Sequence, residues 1–320
     1  MTVRQSNPGE PLPLLVRKSC IAIQQEVTAL KEAVEKFAND PQASCPRNTD
    51  ARAWRRANHR YGAGQRRLGL LGQQQARLMF VNAYDHLVTM GRALGSDGTV
   101  SLYAHTTLSR AVCEAAVRVA WLLDSAVSYE MRLARSAAGL LASAESRVQG
   151  ASAIPVKHLG AEQRQSLIAA SEEVRDKAIR VIESAGFRRN MNKPGNKVAS
   201  IELPVAHVKV PIKLDITSLM SELLPESPTW YAISSGVAHS ATWALDSAIV
   251  SDQFESNLTL TPDVMEIAAA AETVISASAL VIKTYGLYYG HNPDTRVCRS
   301  QQRRDVLDRL MVRHIAGASS

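Results

Sequence analysis

Two groups of residues in this chain have the types and spacing that chemistry would need. In the run Trp230-Tyr231-Ala-Ile-Ser234-Ser235-Gly236-Val237-Ala238-His239-Ser240, Ser235 and His239 stand four apart. On a helix that spacing puts a hydroxyl and an imidazole on one face. Such a pair is the start of nucleophilic catalysis, with the histidine as base, but no third group or oxyanion donor can be assigned to it. The second group is Arg110, Glu114 and Arg118, which recur every four residues and end at Trp121. A charged stripe of this kind can hold a ligand, or it can be structural, with i,i+4 pairs tied to charges on a facing helix such as Asp85. An enzyme reading requires Arg110, Glu114, Tyr231, Ser235 and His239 to converge on one solvent-reached pocket. The structural reading makes His239 a buried histidine that locks helix packing, with Gly236 and Ala238 letting a neighbouring helix approach closely.

A third set suits polyanions. In Arg52-Ala-Trp54-Arg55-Arg56-Ala-Asn-His59-Arg60-Tyr61, positions 52, 55, 56, 59 and 60 share one helical face, and Trp54 and Tyr61 share another. Guanidinium rows beside aromatics fit phosphate contact with base stacking, which makes Arg52, Trp54, Arg55, Arg56 and Arg60 candidate nucleic-acid residues. The alternative is a solvated arginine face whose Trp54 and Tyr61 dock the helix onto the body; no helix-turn-helix frame surrounds it. His86 and His105 are single histidines, read as core or boundary residues.

Absent motifs narrow the field. There is no phosphate-binding Gly-x-x-x-x-Gly-Lys-Ser/Thr loop, no Gly-x-Gly-x-x-Gly, no His-Glu-x-x-His, no Glu-x-x-His and no Gly-x-Ser-x-Gly, so neither a cofactor nor a metal is called for. Cys20, Cys45, Cys113 and Cys298 are far apart with no Cys-x-x-Cys pair, which argues for reduced thiols and a cytoplasmic location. No secretory leader is read at the N-terminus. The most apolar run, Ile267–Ile282, is interrupted by Glu272 and falls short of the roughly 20 residues a membrane span needs, so no membrane partner is expected. The net charge of +7 is local. Residues 47–67 hold seven Arg and one Asp, a charge of +6, and residues 296–314 hold six Arg and two Asp, a charge of +4. The rest of the chain is near −3.

These residues need elements to position them, and the spacing of apolar residues predicts helices nearly throughout. The stretch Leu102–Asp124 is apolar around almost its whole circumference, as expected of a central, buried helix. Amphipathic helices are predicted over Leu14–Phe37 and Gly72–Leu94. A short basic helix, capped by Thr49 or Asp50, should run to about Tyr61 and stop at Gly62 and Gly64. Further helices are predicted over Ser128–Val148, Ala161–Ala185, Asp215–Leu224, Thr229–Val250, Pro262–Tyr289 and Asp294–Ile315. Between 187 and 214 the period changes to two, with Pro204 and Pro211 interrupting, which predicts an irregular or partly extended insertion. The expected fold is all-α: a multi-helix bundle around a central buried helix (about 102–124), with a flexible tail over 1–12 and one helical domain over 13–316.

Two blocks resemble a known group: Arg110-x3-Glu114 followed by Trp121-Leu-Leu, and Tyr231-x2-Ser234-x4-His239. They look like those of all-helical bacterial proteins, many of them actinobacterial, distantly similar to the HEPN-like superfamily. That resemblance implies an all-helical fold and raises ribonuclease activity, for which the family carries Arg, four to six residues, then His. Arg52 with His59 and Arg309 with His314 match that spacing, while the block before His239 has Ser where Arg would stand. The residues together favour a non-catalytic module that works with nucleic acid through the 52–60 face. The alternatives are a HEPN-like ribonuclease or other hydrolase, and a homodimeric interaction scaffold whose seam lies on the Ala/Ser-rich helices.

Overall fold

Helix-forming periodicity along nearly the whole chain gives an all-α bundle with two small three-stranded sheets among the described residues. The computed structural model describes residues 2–3, 12–56, 60–95, 100–193, 195, 197–227, 229–245, 249–250 and 259–318. In chain order the elements are Thr2–Val3 (β1), Leu14–Asn39 (α1), Pro46–Arg56 (α2), Gly62–Gly95 (α3), Ala104–Leu122 (α4), Tyr129–Ala153 (α5), Val156–Leu159 (α6) and Ala161–Ser184 (α7). Then come Arg188–Met191 (β2), Val198–Leu203 (β3), Val208–Pro211 (β4), Ile216–Leu223 (α8), Trp230–Ala238 (α9) and Thr242–Leu245 (α10). Ile249–Val250 (β5), Thr259–Leu260 (β6), Val264–Tyr289 (α11) and Asp294–Ala318 (α12) complete the chain.

The centre is a pair of helices. α4 packs on α3 and α11, and α11 packs on α1, α4 and α12. Val112, Cys113, Ala116, Val117 and Val119 of α4 are fully or almost fully buried, as are Ile267, Ala271, Val274, Ile275 and Ile282 of α11. The start of α11 is set by Asp263, whose carboxylate accepts from the Met265 and Glu266 N–H groups. Its end is set by Gly290 at φ 82°, with the His291 N–H bonded back to Gly286 O at 2.8 Å, the glycine-terminated C-cap expected of such an end. Helical from 264 to 289, α11 is long and apolar enough to cross a membrane by length and composition, although 67% of its most apolar window is buried inside the bundle.

A second apolar cluster lies beside the first. Leu133, Ala134, Ala137 and Leu141 of α5 pack with Val181 and Ile182 of α7, with Phe187, and with Ile201, Leu203 and Val210 of the sheet. β2, β3 and β4 form an antiparallel meander in that order, pairing Arg189 with Ile201 and Ile201 with Val210. This is the extended insertion expected over 187–214; Pro204 begins a single 3₁₀ turn and Pro211 ends β4. The long α3 joins the two clusters, giving Leu68 to one and Leu87, Met90 and Leu94 to the other. β5 and β6 pair antiparallel, and Thr2–Val3, within the stretch expected as a tail, pairs in parallel with Thr259–Leu260.

Several local expectations are corrected by packing. α3 begins at Gly62, ten residues before the predicted start, and Gly64 does not stop a helix. A Cβ on Gly64 would lie 2.2 Å from the Ser184 carbonyl oxygen, so its bare α-carbon is what lets α3 meet the end of α7. α2 begins at Pro46, and Asp50 is not its cap. The carboxylate is turned inward, where Arg132 takes it with two hydrogen bonds, Nε to Oδ2 at 2.9 Å and Nη2 to Oδ1 at 2.6 Å. Residues 57–59, within the predicted basic helix, lie outside the described residues. The helix predicted over Thr229–Val250 breaks after Ala238, because Ser240 takes the left-handed conformation at φ 55°. The Ala241 N–H then bonds to Gly236 O at 2.9 Å.

The α11–α12 contact carries a titrating group. Glu272 faces Asp308 and Arg304, and its pKa is pushed up to about 8, by burial first and then by the neighbouring Asp308 carboxylate. An acid whose folded pKa is raised contributes fully below its unfolded value of about 4.5, and that stability is lost as pH rises through 8. Thermal melts are therefore expected to fall between about pH 5 and pH 9, and Glu272→Gln should flatten that fall. Parallel pH profiles for the two proteins would count against this assignment.

Candidate functional site

α9 is held on α4 by a buried relay. The Trp230 indole N–H donates to Ser109 Oγ at 2.9 Å, and Ser109 donates to Thr106 O at 2.8 Å. This places Tyr231 against the charged stripe. Arg110 Nε donates to Glu114 Oε1 at 2.8 Å, and the Arg110 guanidinium sits over the Tyr231 ring at 5.3 Å from its centroid. The two charged side chains are 19% and 27% exposed. They form a shielded rim pair rather than a stranded buried charge, and a pair of this kind contributes on the order of 1 kcal/mol or less. Asp85 is exposed and makes no ion pair with the stripe among the described residues.

Tyr231 also belongs to an open groove of about 440 Å³, whose wall carries Ser235, Gly236, His239 and Trp243. Trp243 is 62% exposed and lies across Gly236, where a Cβ would come within 2.7 Å of its ring. Of the five residues of the enzyme reading, Tyr231, Ser235 and His239 line this groove, while Arg110 meets the Tyr231 ring and Glu114 pairs with Arg110 outside its lining. The bond joining Ser235 and His239 is between backbone groups, His239 N–H to Ser235 O at 3.0 Å. Among the described residues no hydrogen bond links the Ser235 hydroxyl to the imidazole. His239 is exposed at the end of α9 and does not lock the packing of a helix.

His105 is the deeply buried histidine. It is fully inaccessible, among the described residues neither ring nitrogen makes a hydrogen bond of ordinary geometry, and its pKa is held down at about 4. Desolvation outweighs the Ser101 backbone and the Asp263 carboxylate, which both favour its charged form. Its imidazole is therefore neutral and shielded from solvent. His86 is nearer the surface, with Nδ1 2.8 Å from Asn82 O.

On α2, Arg52, Arg55 and Arg56 are exposed, and so is Arg60 in the turn that follows. Arg52 is partly tied down by Thr49 Oγ1 at 3.2 Å, and Arg60 sits over the Tyr61 ring at 5.3 Å. Trp54 points the other way. It is buried against Gly69 of α3, where a Cβ would lie 2.1 Å from the indole ring, so it docks α2 and offers no face for stacking. His59 lies outside the described residues. Arg66 and Arg67, exposed on the first turns of α3, extend the cationic surface. Gly186 packs on Tyr61, with a Cβ there meeting the ring at 3.2 Å, and this brings the exposed Arg188 of β2 to the same corner.

The other basic segment is used differently. Arg303 Nη1 donates to Glu26 at 2.7 Å, and Glu26 also accepts from Ser300 Oγ at 2.8 Å. Arg304 faces Glu226, and Arg296 lies over the Phe37 ring. Much of that charge therefore fastens α12 to the bundle. Arg309 and His314 are both exposed on α12. The Ala/Ser-rich faces of α5 and α11 are occupied internally, α5 by α3 and α7, α11 by α1 and α4. All four cysteines are free.

The sequence reading missed Asp50–Arg132 and the Trp230–Ser109 relay, since each joins residues far apart in the chain. Arg66 and Arg67 were within reach, as continuations of the same cationic run. Comparison of the chain with protein-family models, with curated proteins and with solved structures finds no match.

Proposed function

We propose that this chain is a non-catalytic module that binds the phosphate backbone of nucleic acid through the arginine surface at the α2–α3 junction. The observation that carries the reading is the fate of Asp50. It is the one acidic residue in 47–67, and it is turned inward and neutralised by Arg132, so the outward side of that segment is cationic. Arg55, Arg56, Arg66 and Arg67 are exposed there and make no ion pair among the described residues. With Trp54 inside, contact is with phosphates rather than bases, and little sequence preference follows. The four free thiols are in keeping with a reducing, cytoplasmic compartment.

Fluorescence anisotropy with labelled single-stranded RNA and DNA over a salt series tests this. If about four phosphates are neutralised, log K should fall with log salt at a slope of about −3 for single strands. Changing Arg55, Arg56, Arg66 and Arg67 together to Ala should bring that slope close to zero and leave the melting curve unchanged. Trp54→Phe should leave binding unchanged, because the indole takes no part in it. Absence of binding at low salt, or a slope indifferent to the arginine changes, would sink the proposal.

A further inference from the structure

Arg118 is the third member of the charged stripe and the one that Glu114 does not serve. It is half-buried on α4, and among the described residues it forms no hydrogen bond or ion pair. A guanidinium cannot shed its charge, so partial burial without an acceptor is a standing cost to the fold. Arg118 lines an open groove of about 680 Å³ bounded by α3, α4, α5 and the segment after β4, a size common for small-molecule sites. The other cation in the lining is Lys213, which is exposed and makes no ion pair among the described residues. The nearby Asp215 is engaged with the Ser218 N–H and hydroxyl. Among the described residues no Asp or Glu lines the groove, and the rest of its wall is largely apolar: Leu78, Met79, Trp121, Leu122 and Ile212.

Two further features suit a bound molecule. Trp121 is held in place by Arg135, which lies over its ring at 5.3 Å and donates to its carbonyl oxygen at 2.6 Å. That wall is therefore preorganised. Leu78 is 62% exposed, apolar area that an occupant would remove from water.

We infer that this groove binds an amphipathic carboxylate, its head paired with Arg118 and Lys213 and its apolar body laid along Leu78, Met79, Trp121 and Ile212. Planar two-point pairing with a carboxylate is what a guanidinium supplies. The site uses other residues than the polyanion surface, so either proposal can fail without the other.

The test compares one alkyl chain with three heads by isothermal titration: decanoate, decanol and decyltrimethylammonium, each kept monomeric. Decanoate should bind one per chain, about tenfold or more tighter than decanol, since a charge-assisted contact is worth about one decade or more. The cationic head should bind weakest. Arg118→Gln and, separately, the exposed Lys213→Gln should each bring decanoate toward decanol, and Leu78→Asp should weaken all three ligands. The lysine and leucine changes lie at the exposed rim and keep the test valid if Arg118→Gln disturbs α4. Equal affinity for the three heads, decanoate binding indifferent to Lys213→Gln, or no decanoate binding at all would overturn the assignment.

Discussion

Replacing Asp50 by Ala is expected to cost the fold about 3–5 kcal/mol, because it strands a buried charge that cannot neutralise itself. Arg132 is 7% exposed, and Asp50 supplies both acceptors of its two-point pair. Its remaining hydrogen bonds go to the carbonyl oxygens of Asp124 and Val127, which carry no formal countercharge, and the guanidinium also lies over the Tyr288 ring. The Tyr288 hydroxyl, 3.4 Å from Asp50 and 3.1 Å from Gln73 Nε2, loses one of its partners in the same change. Urea denaturation measures the loss. Asp50→Ala combined with Arg132→Met should be substantially more stable than Asp50→Ala alone, since the double change removes the stranded charge. A loss below about 1 kcal/mol for the single variant would mean that water reaches Arg132. Because the pair also ties α2 to α5, polyanion binding should weaken in the variant only as far as α2 detaches.

The second large effect comes from the other buried ion pair and has a different pH signature. Arg303→Ala leaves Glu26, which is fully inaccessible, with Ser300 as its remaining hydrogen-bond donor. Burial already raises the Glu26 pKa, while Ser300 and Arg303 lower it. Without Arg303 the raising cause acts with less opposition. A carboxylate can escape burial of its charge by taking up a proton, which an arginine cannot do by losing one. Below the unfolded carboxyl value of about 4.5 Glu26 is protonated in both states, so the variant should lose little there. As pH rises the unfolded chain ionises and the folded one resists, so the deficit should grow to about 3 kcal/mol near pH 8. Melting temperatures of both proteins at pH 5 and pH 8 check the sign. A deficit of equal size at the two values would remove Glu26 from the explanation.

The contrast between these pairs bears on the proposed function. The arginines of 296–314 and those of 47–67 look alike in composition, yet three of the former are spent on Glu26, Glu226 and Phe37. Arg55, Arg56, Arg66 and Arg67, exposed at the α2–α3 corner, form no ion pair or hydrogen bond among the described residues. Charge that holds the bundle together is not available to a phosphate, and this is why the polyanion surface is assigned to one basic segment and not to both.

What the sequence by itself determined is what spacing along one chain determines. Apolar residues recurring with the helical period mark α1, α4 and α11, and the change to period two with Pro204 and Pro211 marks the small sheet. Arg110 and Glu114 pair because four residues make one helical step, and that holds whatever surrounds them. The periodicity says which residues share a face. It does not say which neighbour that face will meet, and every missed feature turns on that difference. Trp54 reads equally well as a stacking surface or as an anchor until Gly69 of α3 lies beneath it. Asp50 reads as a helix cap until Arg132, eighty-two positions later, claims both oxygens. Gly62 and Gly64 read as a stop signal, since glycine usually ends helices, until Ser184 arrives so close that no side chain could stand between. Ser240 breaks a helix that local propensity would continue, and Arg118 is one more charge on a stripe until Ile212 and Lys213, just after β4, close a groove around it. In each case a contact between distant parts of the chain decides, because burial and close approach are properties of pairs of elements, and a single segment carries only half of each pair.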